Sequence, residues 1–329
     1  MSDQIRWGIL GAGSISASFA ADLQLLDGHR LLAVGSRRQA SAEDFARRFD
    51  APHPHGSYED LCADPDVDVI YVGTPHPFHA EHSLLAIRAG KHVLCEKPFA
   101  LNATEAAAVV TAAREAGVFC MEAMWTRFLP HMRRIRQLLD AGALGQVRTV
   151  IADHGQRFLP PDFTSRLYAP ELGGGALLDL GIYPVSFASY VFGSPGRVTA
   201  VSDPAETGVD AQTSAVLQYG GGAHAVLTTT LGGSTPNLAS ITGTEGRIEI
   251  DSVWYQPTTF QLHTRSGAIQ HFAQPRIGHG LRHQAEEVGR CLREGLTESP
   301  IMSLDETLSI TATMDEIRRQ IGLRYPSES

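Results

Sequence analysis

The chain has 329 residues, 43% of them apolar and 19% charged, with a formal net charge of −9. That length supports two or three domains with a substantial core. The acidic balance excludes a nucleic-acid binder, which needs a basic face.

From the start, Met1-Ser2-Asp3-Gln4 runs into a strand-like segment, Arg6 to Leu10, without the basic and apolar stretches of a secretory leader. Further short apolar strands are expected at Leu31–Val34, Val69–Val72, His92–Cys95 and Val118–Met121. Helical stretches separate them, including Ser41–Phe49, His79–Ala89 and a helix capped by Asn102 that runs to Ala116. Strands alternating with helices predict a parallel sheet covered on both faces, and none of these strands is polar enough to have a wet face. Beyond about residue 122 the rhythm changes. A helix over Pro130–Ala141 and a glycine-led apolar segment, Gly173–Phe192, precede strands at Val198–Ser202, Thr213–Tyr219, Ala223–Thr230, Ala239–Thr242, Arg247–Ile250 and Phe260–His263; Val147–His154 is another. Tyr219-Gly220-Gly221-Gly222 reads as a hairpin turn. Ser303, with Glu306 three residues on, starts an amphipathic helix over 304–321. The fold class is therefore α/β: a parallel-sheet Rossmann domain over 1–121, then an α+β domain over 122–329 with an open, mostly antiparallel sheet. The last helix can pack back on the first domain.

Gly11-Ala12-Gly13-Ser14-Ile15-Ser16 follows the first strand and opens a helix. Gly11 permits the tight turn, and Gly13 lets the backbone approach a pyrophosphate on the helix N-terminus, flanked by Ser14 and Ile15. Ser16 takes the third glycine's place. At the end of the second strand, where an NAD enzyme places a carboxylate for the ribose hydroxyls, the chain has Ser36-Arg37-Arg38. A hydroxyl and two guanidiniums suit a 2′-phosphate, so NADP is expected rather than NAD. Thr74-Pro75-His76-Pro77-Phe78-His79 forms a loop expected over the nicotinamide half. His76, His79 and His82 lack a thiol or carboxylate to complete a metal set, and no metal is expected. Glu96-Lys97-Pro98 puts an ammonium at the end of a buried strand, at the carboxyl edge where such sheets bind ligands. In Gly173 to Pro184, Asp179 and Tyr183 are four apart, on one face if helical, although Gly181 and Pro184 predict a kink. A phenol is a poor base unless a cation lowers its pKa, and Lys97 can supply that cation.

Cys62, Cys95, Cys120 and Cys291 are far apart, with no Cys-x-x-Cys pair. They read as reduced core thiols, which makes the cytoplasm the expected compartment. No apolar run of about 18 residues is evident, so no membrane partner is expected.

Taken together, the Gly11-x-Gly13 turn, Thr74-Pro75, Glu96-Lys97-Pro98 and Gly174 to Asp179 resemble the glucose–fructose oxidoreductase/inositol dehydrogenase/rhizopine-catabolism (Gfo/Idh/MocA) family over nearly the whole chain. Tyr183, where many members have His, and Glu122 to Phe128 are similar to its dimeric dihydrodiol dehydrogenase and NADP-dependent D-xylose 1-dehydrogenase branch. The resemblance implies Lys97 and Tyr183 as the catalytic pair, Asp179 as their partner, and Trp125 and Arg127 beside the substrate. It also implies nucleotide contacts from Thr74, Pro75, His79, Glu96 and Lys97, a cis Lys97–Pro98 bond, and a homodimer through the second sheet. The expected function is hydride transfer between NADP(H) and a sugar or vicinal diol. Reduction of a dicarbonyl or anhydroketose, hydride exchange between two sugars, and a non-catalytic NADP sensor are the alternatives. Loops 156–168 and 274–283, with Arg157, Arg166, His279 and His283, are open candidates for substrate contacts.

Overall fold

The computed structural model describes residues 4–159 and 161–328, and the segment Met1–Asp3 read above lies outside them. Two compact units are present, residues 1–125 with 277–308, and residues 126–276 with 309–329.

The first unit alternates β1 (Ile5–Leu10), α1 (Ser14–Leu23), β2 (His29–Gly35), α2 (Gln39–Phe49), β3 (His53–His55), α3 (Tyr58–Ala63), β4 (Val69–Val72), α4 (His79–Arg88), β5 (His92–Glu96), α5 (Ala103–Ala116) and β6 (Cys120–Ala123). Every pairing in this six-stranded sheet is parallel, in the order β3-β2-β1-β4-β5-β6. That is the doubly wound order, with its reversal between β1 and β4. All four residues of β4 are buried, as a strand covered on both faces requires. On one face Phe19 of α1 stacks on Tyr71 with centroids 4.0 Å apart, and Trp7 meets Phe19 edge-on at 5.3 Å. The expected Asn102 cap is present, its side chain accepting from Glu105 N at 2.9 Å. β6 starts two residues later than the apolar pattern suggested, at Cys120.

The second unit carries α6 (Pro130–Asp140), β7 (Val147–Gly155), α7 (Ile182–Phe192), β8 (Arg197–Pro204), β9 (Asp210–Gln218), β10 (His224–Thr230), β11 (Ala239–Gly243), β12 (Gly246–Ile250), β13 (Phe260–Thr264) and β14 (Ile269–Phe272). They form an eight-stranded sheet, β14-β13-β12-β11-β7-β10-β9-β8, antiparallel except at β7–β10. Tyr219 N donates to Ala223 O at 2.9 Å across the expected glycine turn between β9 and β10.

Before α7 lies a five-residue π-helical turn, Leu177–Gly181. Gly181 lets Leu177 and Thr229 approach to where a Cβ would stand 3.0 and 3.2 Å from them, and Pro184 sits in the first turn of α7. The four-residue spacing of Asp179 and Tyr183 therefore crosses a π-to-α junction instead of following one regular helix face. One segment, Pro170–Phe192, does reach the length and apolarity of a membrane span, which the composition had not suggested; 83% of its most apolar window is buried inside the protein, as in a core helix.

Two helices complete the chain, α8 (Arg282–Arg293) and α9 (Leu304–Ile321). Ser303 Oγ accepts from Glu306 N at 3.2 Å, the expected cap. The start of α8 is capped from elsewhere in the first unit. Asp22, 1% exposed, accepts from the backbone N of His279 at 2.8 Å and of Arg282 at 3.2 Å. The Phe19 ring is fully buried between two aromatic neighbours. Phe19→Ala is expected to cost about 3–5 kcal/mol, read as a lower urea midpoint at unchanged slope.

Candidate active site

At the carboxyl end of β1, Gly11 has φ +103°, a conformation in which a side chain would be strained. A Cβ there would lie 3.1 Å from Gly73 O, and one on Gly73 would lie 2.4 Å from Ser16 Oγ. Ser16 thus fills the third glycine's place, and its hydroxyl donates to Gly11 O at 2.5 Å. Gly13 is the N-cap of α1, with no side-chain cap and no acidic residue in the first turn. Its backbone N–H groups are left for an anion. A cavity of about 610 Å³ opens here, lined by Gly11, Gly13, Ser36, Arg37, Arg38, Thr74 and Pro75 among others. Tyr58 also lines it and hydrogen-bonds Arg37. No carboxylate is among the described lining residues, so a nucleotide bearing an extra phosphate meets no like charge. Ser14 and Ile15, the first residues of α1, are exposed.

The Thr74 loop and the Lys97 turn are joined by one imidazole. His79, 1% exposed, contacts Pro98 O at 2.7 Å through Nδ1 and Thr74 O at 2.6 Å through Nε2. Burial pushes His79 down to about 4 while the two carbonyls pull the other way. His82 Nδ1 meets Thr74 Oγ1 at 2.9 Å. Lys97–Pro98 is cis, as the resemblance implied. Glu96 is buried; Tyr71 donates to its Oε1 at 2.6 Å and Lys97 N to its Oε2 at 3.3 Å. Glu122 accepts from Phe99 N at 3.1 Å and Thr307 Oγ1 at 3.3 Å. The turn that presents Lys97 is thus fixed by two buried carboxylates. Trp125, 9% exposed, follows β6 at the edge of this unit.

In the second unit Asp179 and Tyr183 are 7% and 8% exposed. Arg166 donates to Asp179 Oδ1 at 2.9 Å, so of the open candidates this arginine reaches the expected site. His154 and Tyr255, neither singled out in the sequence, wall Tyr183. The His154 ring meets Tyr183 at 5.1 Å and stacks on Tyr255 at 3.8 Å, while Tyr255 lies 5.2 Å from Tyr183. His154 Nδ1 contacts Leu180 O at 3.1 Å and Nε2 contacts Gln156 Nε2 at 3.0 Å. With Nδ1 donating to the carbonyl and Nε2 accepting from the amide, one neutral tautomer is specified. The sequence hint was only that His154 ends a strand with a polar residue two places on. Arg127, 2% exposed, donates to Ser186 Oγ at 3.0 Å and Ser186 O at 2.8 Å, with its guanidinium over Tyr190. Those bonds anchor α7. His279 contacts Asp22, and His283 contacts Glu286, both in the first unit; Arg157 bridges to Gly232.

The first turn of the Asp179 segment rests on Asp210. Its Oδ2 accepts from Leu177 N at 2.8 Å and Thr213 Oγ1 at 2.7 Å. Burial pushes Asp210 up to about 7, against the pull of those donors.

Known proteins share the sequence and the fold of this chain. The model of the oxidoreductase family with an NAD-binding Rossmann fold matches residues 5–124, and the GFO/IDH/MocA C-terminal domain matches residues 132–249. The chain belongs to the Gfo/Idh/MocA oxidoreductase family. It is 42% identical to the trans-1,2-dihydrobenzene-1,2-diol dehydrogenase of Xenopus tropicalis over 98% of this chain and 99% of that one. Identity to the human enzyme of the same name is 38%, at the same coverage. Among solved structures, the aldose-aldose oxidoreductase from Caulobacter crescentus, complexed with glycerol, superposes with a TM-score of 0.88 at 27% identity, over 96% of this chain and 97% of that one. A 3-ketoreductase from Actinomadura kijaniata, in complex with NADP and TDP-benzene, does so at 0.85 and 28%, over 97% and 98%. This family member is an oxidoreductase with an NAD(P)-binding Rossmann fold.

Asp210 supplies a pH test. Its folded pKa lies above its ordinary carboxylate value, so its contribution is full below about pH 4 and is lost as pH rises towards 7. Over that window wild-type stability is expected to fall by up to about 1.4 kcal/mol per pH unit relative to Asp210→Asn, measured by denaturant titration at several pH values.

Proposed function

We propose that the protein is an NADP-dependent dehydrogenase that oxidises a hydroxyl of a sugar or related vicinal diol, with Lys97, Tyr183 and Asp179 carrying the proton chemistry. The observation that supports this best is the phenol of Tyr183, buried against His154 and Tyr255 and followed back along the chain to the Arg166-paired carboxylate of Asp179. A core tyrosine alone would not be accompanied by a buried carboxylate that an arginine reaches from a more exposed loop. The diol named for the curated relatives and the sugars named for the solved neighbours share one chemistry, a secondary or anomeric CH–OH beside a second hydroxyl.

NADP, when bound, supplies the hydride acceptor. In this reading, Tyr183 takes the hydroxyl proton while the carbinol hydrogen leaves with its bonding pair as hydride, which the nicotinamide would accept, and a carbonyl remains. The Lys97 ammonium favours the phenolate and holds the substrate oxygen. Asp179 orients the neighbouring hydroxyl, and Arg166 holds Asp179. The same residues run in reverse for carbonyl reduction. Ser36, Arg37 and Arg38 take the 2′-phosphate, Gly11, Gly13, Ser14 and Ile15 the pyrophosphate, and Thr74, Pro75 and His79 the nicotinamide side. Glu96 acts by holding the Lys97 turn, and Trp125 and Arg127 frame the substrate.

A second copy of the chain is the proposed partner. Ile151 of β7, Val226 of β10 and Val216 of β9 lie in one cross-strand row, 52%, 40% and 36% exposed, and Val201 of β8 is 68% exposed. An apolar row of this kind on an uncovered sheet face suits another such face. The four cysteines are buried and free, with Cys62, Cys120 and Cys291 pushed up to about 12 by burial, in keeping with a reducing cytoplasm.

Tyr183→Phe and Lys97→Ala are each expected to lower kcat by about 100-fold or more while NADPH fluorescence still reports binding. Near wild-type turnover in both correctly folded variants would sink the assignment. Arg37→Ala and Arg38→Ala are expected to raise KM for NADP by about 10-fold or more, the scale of one lost charge-assisted hydrogen bond, with KM for NAD unmoved. Equal loss with both cofactors would count against a 2′-phosphate site.

A further inference from the structure

On the edge of the parallel sheet three groups converge that the proposed chemistry does not use. We propose that His53, His55 and Asp64 bind a first-row divalent transition metal, of which zinc is the representative.

Alternation along a strand puts residues 53 and 55 on the same side of β3, and Pro54 points the other way. β3 is the edge strand and, among the described residues, pairs with β2 alone, through Ala33–His53, Val34–Pro54 and Gly35–His55. Asp64 ends α3 and brings its carboxylate to the same place. His53 Nδ1 lies 2.8 Å and His55 Nε2 3.0 Å from Asp64 Oδ2, and all three atoms lie within 4.8 Å of one another. Two imidazoles and one carboxylate are a donor set that takes zinc, with a fourth position left to water. Metal–ligand bonds of about 2.0–2.2 Å require donors roughly 3.3 Å apart, so each ring nitrogen has to back off the carboxylate by about 0.3–0.5 Å while the two nitrogens settle at the same spacing, a shift of side chains already within 4.8 Å of one another. The histidine side chains are 36% and 23% exposed and the carboxylate 5%, which gives the ion a route in and a buried anchor.

The competing arrangement has both imidazoles donating N–H to the one oxygen. In the metal-bound form each proton sits on the other ring nitrogen and the two lone pairs face the ion, with no net proton release from neutral rings. Surrounding charge permits a cation. Asp64, Asp66 and Asp68 face Arg6 and Lys91, three carboxylates against two cations; Arg6 pairs with Asp66 and Asp68, and the Lys91 ammonium is held by the carbonyls of Asp64 and Val67. The site differs from His79 and His82, whose rings contact the carbonyls of Pro98 and Thr74 and the Thr74 hydroxyl. Ser36 N donates to His55 O at 3.1 Å, so the metal would brace the strand that holds a residue lining the nucleotide cavity.

The full chain, stripped with chelator, is titrated with Zn²⁺ by calorimetry and with Co²⁺ by visible absorption. Expected are one ion per chain, a Kd on the order of 1 μM or tighter for zinc, and the d–d absorption of four-coordinate cobalt. Asp64 also shapes the end of α3, so the test variant is His53→Gln/His55→Gln, whose unchanged metal-free melting shows that it folds. It is expected to lose more than the about 10–100-fold that removing an outer-shell partner costs, and the cobalt band with it. Wild-type protein without zinc binding by about 100 μM, or a double variant that binds as wild type, would overturn the proposal.

Discussion

Close contact of backbone with backbone at the carboxyl end of β1 and β4 is the constraint on which the first unit depends. Gly11 adopts a left-handed turn against Gly73, and Ser16 packs where a Cβ on Gly73 would collide with it. That contact brings the start of α1 directly onto the strand ends. It also leaves the helix N-terminus bare of side-chain caps and acids. The strand order reverses at the same place, so the crevice opens there and not elsewhere along the sheet. A larger residue at Gly11 or Gly73 would separate helix from sheet and remove the anion site with it. Packing and ligand binding are therefore one requirement, met by the same three small residues.

In both units, buried polar groups do the positioning. Glu96 and Glu122 hold the turn that carries Lys97, and His79 ties that turn to the Thr74 loop. Asp210 accepts the first backbone N–H of the segment carrying Asp179, with part of its charge suppressed by burial. Arg127 spends its guanidinium on Ser186. An unmet group in such surroundings costs about 1–3 kcal/mol, so each of these contacts resists displacement. The side chains proposed for chemistry sit on a turn (Lys97), a π-helical turn (Asp179) and the first turn of α7 (Tyr183), each held by such contacts, which is what catalysis by orientation needs.

Features encoded by a few neighbouring residues were legible in the chain itself. The glycine turn, the caps at Asn102 and Ser303 and the hairpin at Tyr219–Gly222 each follow from local hydrogen bonding, and all are present. β3 was not legible, because three residues, two of them histidines and one a proline, carry no apolar pattern. α8 was missed despite Leu281, Ala285, Val288 and Leu292 at helical spacing; its cap comes from Asp22, some 260 residues earlier. The return of 277–308 to the first unit is likewise a tertiary fact. His154 and Tyr255 could not be joined to Tyr183 from spacing, since they come from β7 and a loop about 100 residues apart.

The second unit also explains why the proposed base needs a cation. Burial pushes Tyr255 up to about 12, with a like push from Tyr183 and only a partial offset from Gln156. Tyr190 rises to about 12 even with Arg136 and Arg127 beside it. Burial thus opposes phenolate formation at Tyr255 and Tyr190, and at Tyr190 two nearby guanidiniums do not reverse it. For Tyr183 to accept a proton near neutral pH, a cation must act on the phenol or on the alkoxide it serves. Arg166 is engaged with Asp179 at 2.9 Å. In the resemblance and in the proposal alike, Lys97 takes that part. Its ammonium stands on a turn that two buried carboxylates fix by its backbone neighbours.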